Sequence, residues 1–173
     1  PNPVFRHFPA IKPFALNRLD QFRPAPPPSL NSAAYAAAVK ETGSLGGTVS
    51  TLRTPEQLEV ARFHTEPPPA AITRNLGRFA SSTANVGDAA RLMAAIYVSY
   101  VDAIGACFDA KYYYQTWRPV SAIQVADAAW TPVLPTPNHP EYPAAHSCTS
   151  GSLGEALRSH YGTPNVSFTW DSK

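Results

Sequence analysis

Two fixed cations and a histidine are the residues of this chain whose types and spacing suit chemistry. Lys111 and Arg118 lie seven residues apart, and His146 follows a Pro-Ala-Ala turn. If one helix carried both cations, their side chains would lie about two turns apart on one face. A guanidinium suits two oxygens of a phosphate-like anion, and an ammonium group supplies a compact charge for a third. The spacing therefore predicts a site for a tetrahedral oxyanion.

His146 stands at the start of a predicted helix. Serine, threonine and glycine follow it, and an apolar run with helical spacing comes next. Backbone N–H groups at a helix start have no partner within the helix and favour an anion. Near an anion His146 favours its protonated form, which can donate a proton to a leaving or peroxo oxygen. At the other end of the stretch, Pro119 predicts that Arg118 lies at a helix end.

Composition indicates a single globular domain. The chain has 173 residues, of which 44% are hydrophobic and 15% charged, and its net charge is +2. Such a chain can bury most of its apolar surface in one core, and the charge is too small to predict binding to nucleic acid or a membrane surface. The longest apolar run, 92–101, covers about half a membrane span, so we expect no membrane-spanning helix. The first residue is a proline, so no signal peptide can be judged and the compartment stays open.

Helical patterns dominate, and the predicted fold class is all-α, a helical bundle. Proline spacing predicts an extended arm over residues 1–28 that lies across the helices. The segment 120–125 fits a strand or a short helix. Five aromatic or aliphatic residues are the predicted anchors of the arm: Phe5, Phe8, Phe14, Leu16 and Phe22. Helices are predicted at 33–41 with a stop at Gly43, from a cap at Thr54 to His64, at 70–80, at 88–113 and after His146.

Other polar residues receive supporting roles. Asp102 and Asp109 are either an acid–base pair or holders of arginines and loops, and we favour the second. Cys107 and Cys148 either pair or remain buried thiols, and we favour thiols because neither has a metal-site spacing. His64 is predicted to be either a ligand or a surface or capping residue, and we favour the second. His139 is predicted to brace its loop or to reach the mouth of the pocket, and we favour the first.

The same residues carry a family resemblance. Lys111-x6-Arg118-Pro119 matches the first motif of the superfamily of vanadium-dependent haloperoxidases and type 2 phosphatidic acid phosphatases. Residues 143–146, Pro-Ala-Ala-His, match a variant of its second motif, Pro-Ser-Gly-His. The flanking stretches 21–24, 117–123 and 130–132 also fit, so the resemblance covers nearly the whole chain. The match is closest to soluble bacterial proteins of the haloperoxidase-like branch.

The resemblance implies a haloperoxidase-type helical bundle that binds a small anion, vanadate or phosphate. Its chemistry would be either peroxide-dependent halide oxidation or phosphomonoester hydrolysis. It assigns Lys111, Arg118 and the amide of Ala145 to the oxyanion, and His146 to acid–base catalysis. Ala144 and Ala145 replace the Ser-Gly pair of the family, which removes one hydroxyl contact. The third motif, Ser-Arg-x3-His-x3-Asp, supplies the apical histidine ligand of vanadate and does not occur in the 173 residues.

The missing motif leads to three expectations. The 173 residues are expected to form the N-terminal and central part of a longer haloperoxidase-like domain, with a C-terminal segment or a second chain completing the site. Alone, the chain is expected to bind phosphate or vanadate weakly and to be inactive as a bromoperoxidase and as a phosphatase. The alternative from another functional class is a non-catalytic helical protein that binds anions or partners.

Overall fold

The computed structural model describes residues 2–172 and is built of α-helices. Across these residues there is no β-strand, and the only sheet-like pairing is an isolated bridge between Gly47 and Pro132. The all-α prediction is therefore confirmed. A short 3₁₀ helix at Phe8–Ala10 precedes six helices: α1 (Ala33–Gly46), α2 (Pro55–Phe63), α3 (Pro68–Phe79), α4 (Val86–Tyr114), α5 (Pro119–Ala126) and α6 (Ala145–Tyr161).

Helices α4 and α6 pack side by side and run in opposite directions. His160, near the end of α6, contacts Asp88 in the first turn of α4, whereas Cys148 at the start of α6 contacts Cys107 near the end of α4. Helix α3 closes the core at the other side. Burial of apolar side chains in this core is the main contribution to the stability of the bundle. The buried core residues are Ile72, Phe79, Leu92, Ile96, Leu153 and Leu157.

Asp102 holds the N-terminal arm against α4. Its carboxylate accepts hydrogen bonds from the backbone N–H groups of Phe14 (2.7 Å), Ala15 (2.7 Å) and Leu16 (2.9 Å). Asp109, two turns further along α4, pairs with Arg23 at 2.7 Å. The predicted supporting role of the two aspartates is confirmed.

The arm lies on α4 as predicted, but some of the predicted anchors are wrong. Phe14 and Phe22 are each 72% exposed, because the contact at 14–16 is made by backbone N–H groups. The buried anchor is Leu19, which packs where α4 has Gly105. A Cβ at that glycine would lie 2.8 Å from Leu19 Cδ2, so the close approach requires a residue without a side chain.

Tyrosine hydroxyls tie the arm to the rest of the molecule. Tyr114 donates to the carbonyl of Pro24 at 2.6 Å, and Tyr142 donates to the carbonyl of Ala25 at 2.7 Å. Tyr112 makes a similar bond to the carbonyl of Val4. These contacts place the C-terminal part of α4 and the loop before α6 under the arm.

Two predicted elements differ from the structure. Helix α1 passes through Gly43 and ends at Gly46, since the Gly43 carbonyl and the Trp130 indole are joined by a 3.0 Å hydrogen bond that supports the last turn from outside. The ambiguous segment 120–125 is helical. Pro119 at the first position of α5 suits a helix start, where its missing N–H costs nothing.

Cys107 and Cys148 form a disulfide, so the favoured prediction of two free thiols is wrong. The antiparallel packing of α4 and α6 brings their Cα atoms to 6.3 Å, within the range of ordinary disulfides. Residues 41 apart in sequence gave no local sign of this contact.

The stretch Val86–Ala126 is long and apolar enough, by length and composition, to cross a membrane. The core helix of a soluble protein meets the same criterion. In this structure α4 packs against α6 and the arm, and Asp102 and Lys111 are buried in those contacts. The absence of a membrane span stays a prediction.

Candidate functional site

Lys111 lies in the last turn of α4 and is 1% exposed. Its Nζ donates to the carbonyls of Pro140 at 2.7 Å and Glu141 at 2.9 Å. Burial lowers the pKa of Lys111 from 10.5 to about 8; the nearby Arg118 charge also lowers it, and Glu141 raises it. Lys111 is therefore a buried cation whose charge is held by the loop before α6.

Arg118 does not share a helix with Lys111, so the predicted common helix face is wrong. Helix α4 ends at Tyr114, and Gln115 caps it in the left-handed conformation (φ 48°, ψ 41°). Arg118 is instead the residue that precedes α5, and Pro119 sets its extended conformation. The predicted position at a helix end is right in kind, but the end is the start of the following helix.

The two cations nevertheless converge on one segment. Arg118 donates to the carbonyl of Pro137 through Nε at 3.0 Å and Nη2 at 2.9 Å, and its Nη1 pairs with the Glu141 carboxylate. Lys111 binds the same loop three and four residues further on, at the carbonyls of Pro140 and Glu141. The loop 137–141 thus takes up both positive charges, and its path leads directly into α6.

The start of α6 leaves backbone donors available. Ala144 occupies the capping position and has no side chain that could accept a hydrogen bond. The first bond of the helix runs from the N–H of Cys148 to the carbonyl of Ala144 at 3.1 Å. Within residues 2–172, the N–H groups of Ala145, His146 and Ser147 have no acceptor. Such an uncapped start carries partial positive charge and can hold an anion.

His146 faces a different cavity from the cations. Its Nε2 lies 3.3 Å from the carbonyl oxygen of Glu66, and its side chain is exposed. The His146 cavity, of about 330 Å³, also contains His64, Thr149 and Trp170 in its wall, whereas Arg118 and Glu141 line a separate cavity of about 480 Å³. The structure therefore brings Lys111 and Arg118 together, and it does not bring His146 to them.

The remaining histidines have structural contacts. The ring of His139 packs edge-on against Phe108, with centroids 5.2 Å apart. Burial lowers the pKa of His139, the bond to the Pro140 carbonyl raises it, the cations Lys111 and Arg118 lower it and Glu141 raises it. His64 is the C-terminal cap of α2. The predictions of a loop-bracing His139 and a capping His64 are confirmed.

Glu141 is the site residue that the sequence patterns missed. It joins the two cations through its carboxylate and its carbonyl, and its own N–H donates to the Thr116 carbonyl at 3.1 Å. The Oγ1 of Thr116 is buried and has no partner in the described part of the chain. The only signal in the sequence is the position of this acid, five residues before His146.

The donors present fit the oxygens of an anion better than they fit a coordinated vanadate. Two cations and an uncapped helix start supply the N–H groups that oxyanion oxygens require. Among residues 2–172, His146 lines the other cavity and His139 packs against Phe108. The residues present therefore fit the binding of an anion.

Comparisons with known proteins agree with the fold. The family model of the VCPO second helical-bundle domain matches residues 124–173. A crystal structure described as that of the first bacterial vanadium-dependent iodoperoxidase superimposes with a TM-score of 0.82 and 28% sequence identity over 94% of this chain. The chain spans 43% of the length of that iodoperoxidase chain. A search of curated proteins gave no significant match. Together with the motif at 111–119, these likenesses support a vanadium haloperoxidase-like family for this chain.

Proposed function

We propose that this chain supplies the oxyanion-binding residues of a vanadium-dependent haloperoxidase-like protein. The observation that carries the proposal is the convergence of Lys111 and Arg118 on the loop 137–141, directly before the uncapped start of α6. Burying the charge of Lys111 is costly, and the acceptors of its Nζ are two neutral carbonyls. An anion beside the loop would compensate this charge.

Each residue has a defined task in this proposal. Arg118 donates to the anion from the Nη1 edge of its guanidinium, since Nε and Nη2 bind the Pro137 carbonyl, and Lys111 supplies a nearby positive charge. The N–H of Ala145 adds a donor along the axis of α6. Preorganised donors of this kind typically contribute about 2.7–4 kcal/mol each where charge develops in a transition state.

His146 is proposed to hold and release a proton next to the anion. In the structure its Nε2 faces the Glu66 carbonyl, so a rotation of the side chain is needed before it can serve the site. A histidine is suited to this task because its charge changes near neutral pH. Its distance from the cations makes it the residue whose proposed role requires the largest rearrangement.

By analogy with the iodoperoxidase, the proposed reaction of the whole protein is peroxide-dependent halide oxidation, in which peroxide is the oxidant and bound vanadate would supply a Lewis acid that activates it. The histidine that ligates vanadate in the family is proposed to come from a further segment or a second chain. Phosphate is expected to bind the same donors, because it presents the same tetrahedral oxygens.

Titration calorimetry with phosphate and with vanadate tests the anion site. Opposite charges about 4 Å apart attract by roughly 4 kcal/mol at an effective dielectric constant of about 20, which corresponds to millimolar binding. Arg118→Ala is expected to weaken binding about tenfold or more. Arg158→Ala is the matched control, since among residues 2–172 the Arg158 side chain pairs only with Glu155, on the exposed side of α6. Equal heats of binding for the wild type and Arg118→Ala would show that Arg118 is not part of an anion site.

An activity assay tests the reaction. The 173-residue chain and any longer product of the same gene are assayed with vanadate, peroxide and iodide, and with a chromogenic phosphate ester. The short chain is expected to be inactive, because cations hold an anion but do not supply the ligand nitrogen. Turnover by the short chain that His146→Ala abolishes would contradict the proposed need for an added histidine.

A further inference from the structure

We propose that Glu141 is an internal competitor for the oxyanion site: its carboxylate occupies Arg118, and an incoming anion must displace it. The inference deepens the proposed function and depends on it. It also predicts selectivity, with tetrahedral dianions preferred over monoanions. Glu141 would then decide which anions bind, in addition to contributing to the stability of the loop.

The geometry allows the Glu141 side chain to move while its backbone stays fixed. Its N–H is bound to the Thr116 carbonyl, and its carbonyl accepts from Lys111 Nζ at 2.9 Å. The carboxylate makes its only recorded polar contact, within residues 2–172, with Arg118. The Glu141 side chain is 39% exposed and lines the 480 Å³ cavity, so rotation about its side-chain bonds carries the carboxylate into open space.

The chemistry of Arg118 makes the competition direct. Its Nε and Nη2 are committed to the Pro137 carbonyl, which leaves the Nη1 edge for a further acceptor. Glu141 takes that edge with a carboxylate, which presents two oxygens much as phosphate or sulfate does. Two anions so close together would repel, so the edge serves either Glu141 or the ligand.

Selectivity follows from charge. A monoanion that replaces Glu141 restores the same single negative charge beside Arg118 and gains little. A dianion brings a second charge to Lys111 and Arg118 together, and Coulomb attraction scales with that charge. The exchange therefore favours sulfate, hydrogen phosphate or vanadate dianions over nitrate or chloride.

Two other charged residues line the same cavity. Arg53 donates through Nη1 to the carbonyls of Leu45 (2.6 Å) and Gly47 (2.7 Å), and has no carboxylate partner in the described part of the chain. Glu41 also lines the cavity, and over residues 2–172 its exposed side chain makes no hydrogen bond or ion pair. Glu41 therefore offers a control with the same charge in the same cavity but without the contact to Arg118.

Calorimetry with sulfate compares the wild type, Glu141→Gln and Glu41→Gln. Glu141→Gln is expected to bind sulfate roughly threefold to fivefold more tightly, because a partly exposed ion pair contributes little and only that contribution is released. Glu41→Gln is expected to change the affinity less than about twofold, since its charge is solvated. Glu141→Gln should also narrow the preference for sulfate over nitrate, and adding Arg118→Ala to it should abolish the gain.

The outcomes separate this inference from the proposed function. If wild-type binding depends on Arg118 but Glu141→Gln leaves the affinity unchanged, the competitor role is wrong and the anion site remains. If both glutamate variants bind sulfate more tightly by the same factor, the gain comes from the lower net charge of the cavity, and the competitor role is wrong. If neither the wild type nor Glu141→Gln binds any anion, both proposals fall.

A second measurement uses the wild-type chain, in case Glu141→Gln disturbs the loop. The side-chain carboxyl carbon of Glu141 is followed by NMR during a sulfate titration, with Glu155 as the reference because it pairs with Arg158 elsewhere. The Glu141 signal is expected to shift toward the value of a solvated carboxylate as sulfate binds. Binding heat without a shift at Glu141 would overturn the proposal.

Discussion

The disulfide between Cys107 and Cys148 joins the helix of Lys111 to the helix of His146. Lys111 lies one turn after Cys107, and His146 lies two residues before Cys148. The bond therefore fixes the end of α4 against the start of α6. It also holds together the two helices that flank residues 115–144, the segment that contains the loop 137–141.

Reducing this disulfide is expected to lower the free energy of unfolding by about 2–4 kcal/mol, because the link closes a long loop in the unfolded chain. Thermal unfolding with and without a reducing agent measures the effect. A double variant, Cys107→Ala with Cys148→Ala, is expected to have the melting temperature of the reduced protein, with or without the reducing agent. An identical melting temperature in both redox states would contradict the expectation.

Anion binding is expected to weaken as the pH rises through about 8, where Lys111 loses its charge. The charged groups that face Lys111 are Arg118, Glu141 and His139. Because the pKa lies below its ordinary value of 10.5, the folded state loses this proton first, and deprotonation between about 8 and 10.5 raises the free energy of unfolding. Sulfate is the probe, since it does not titrate in this range.

Lys111→Met is the control for the pH series. Its sulfate affinity is expected to be lower than that of the wild type at pH 7 and to lack the decline near pH 8. Circular dichroism verifies that the variant is folded. A wild-type affinity that stays constant between about pH 7 and pH 10 would show that the Lys111 charge does not contribute.

Asp102→Asn is expected to detach the arm and to destabilise the protein by roughly 2–3 kcal/mol, because three backbone N–H groups lose a charged acceptor. Burial raises the pKa of Asp102, while the N–H groups of residues 14–16 lower it by more, so the net shift is downward. This stabilisation is present above the ordinary pKa of an aspartate, about 3.9, and is lost as the pH falls through the lower folded value.

Limited proteolysis of residues 1–28 and urea unfolding at several pH values measure these effects. Asp109→Asn is the matched variant on the same helix; it loses the partly exposed pair with Arg23 and is expected to cost less than about 1 kcal/mol. Equal protection of the arm in Asp102→Asn and the wild type would refute the anchoring role.

Gly105→Ala and Gly154→Ala form a contrasting pair. In α4, the new methyl group at residue 105 meets Leu19 at 2.8 Å, and overpacking of this kind costs about 1–3 kcal/mol. In α6, a methyl group at residue 154 meets nothing within 4 Å, and the substitution is expected to stabilise the helix by roughly 0.5–1 kcal/mol. Urea unfolding of both variants gives the two signs, and a stabilised Gly105→Ala would show that the arm does not approach α4 as described.

Local signals in the sequence predicted the elements that depend on local contacts. The cap at Thr54 and the proline after it define the start of α2, because the hydroxyl, the amide of Gln57 and the proline ring act within four residues. The end of α1 was missed because a hydrogen bond from Trp130, 87 residues away, supports the helix beyond Gly43. The family was recognised because its first motif is a short, ordered pattern.

The arrangement of the candidate site was only partly predictable. Charge and spacing identified Lys111 and Arg118, but their convergence depends on the irregular loop 137–141, which has no period that a pattern could detect. The separation of His146 from the cations is a matter of tertiary packing around α6. The contact of Glu141 with Arg118, on which its proposed role rests, is revealed only by the folded chain.

The hydrogen bonds between the arm and the rest of the molecule also predict an order of folding. Asp102 binds backbone groups that lie 86 to 88 positions earlier in the sequence. The hydroxyls of Tyr114 and Tyr142 bind carbonyls that lie 90 and 117 positions earlier. Contacts so distant in sequence form slowly, because long loops must close first. We expect pulse-labelled hydrogen exchange to show α4 amides protected before those of residues 14–16. Phe5 and Phe8 of the arm cover Phe108 of α4, so we expect a form with the arm undocked to expose this apolar surface and to aggregate more readily than the native form.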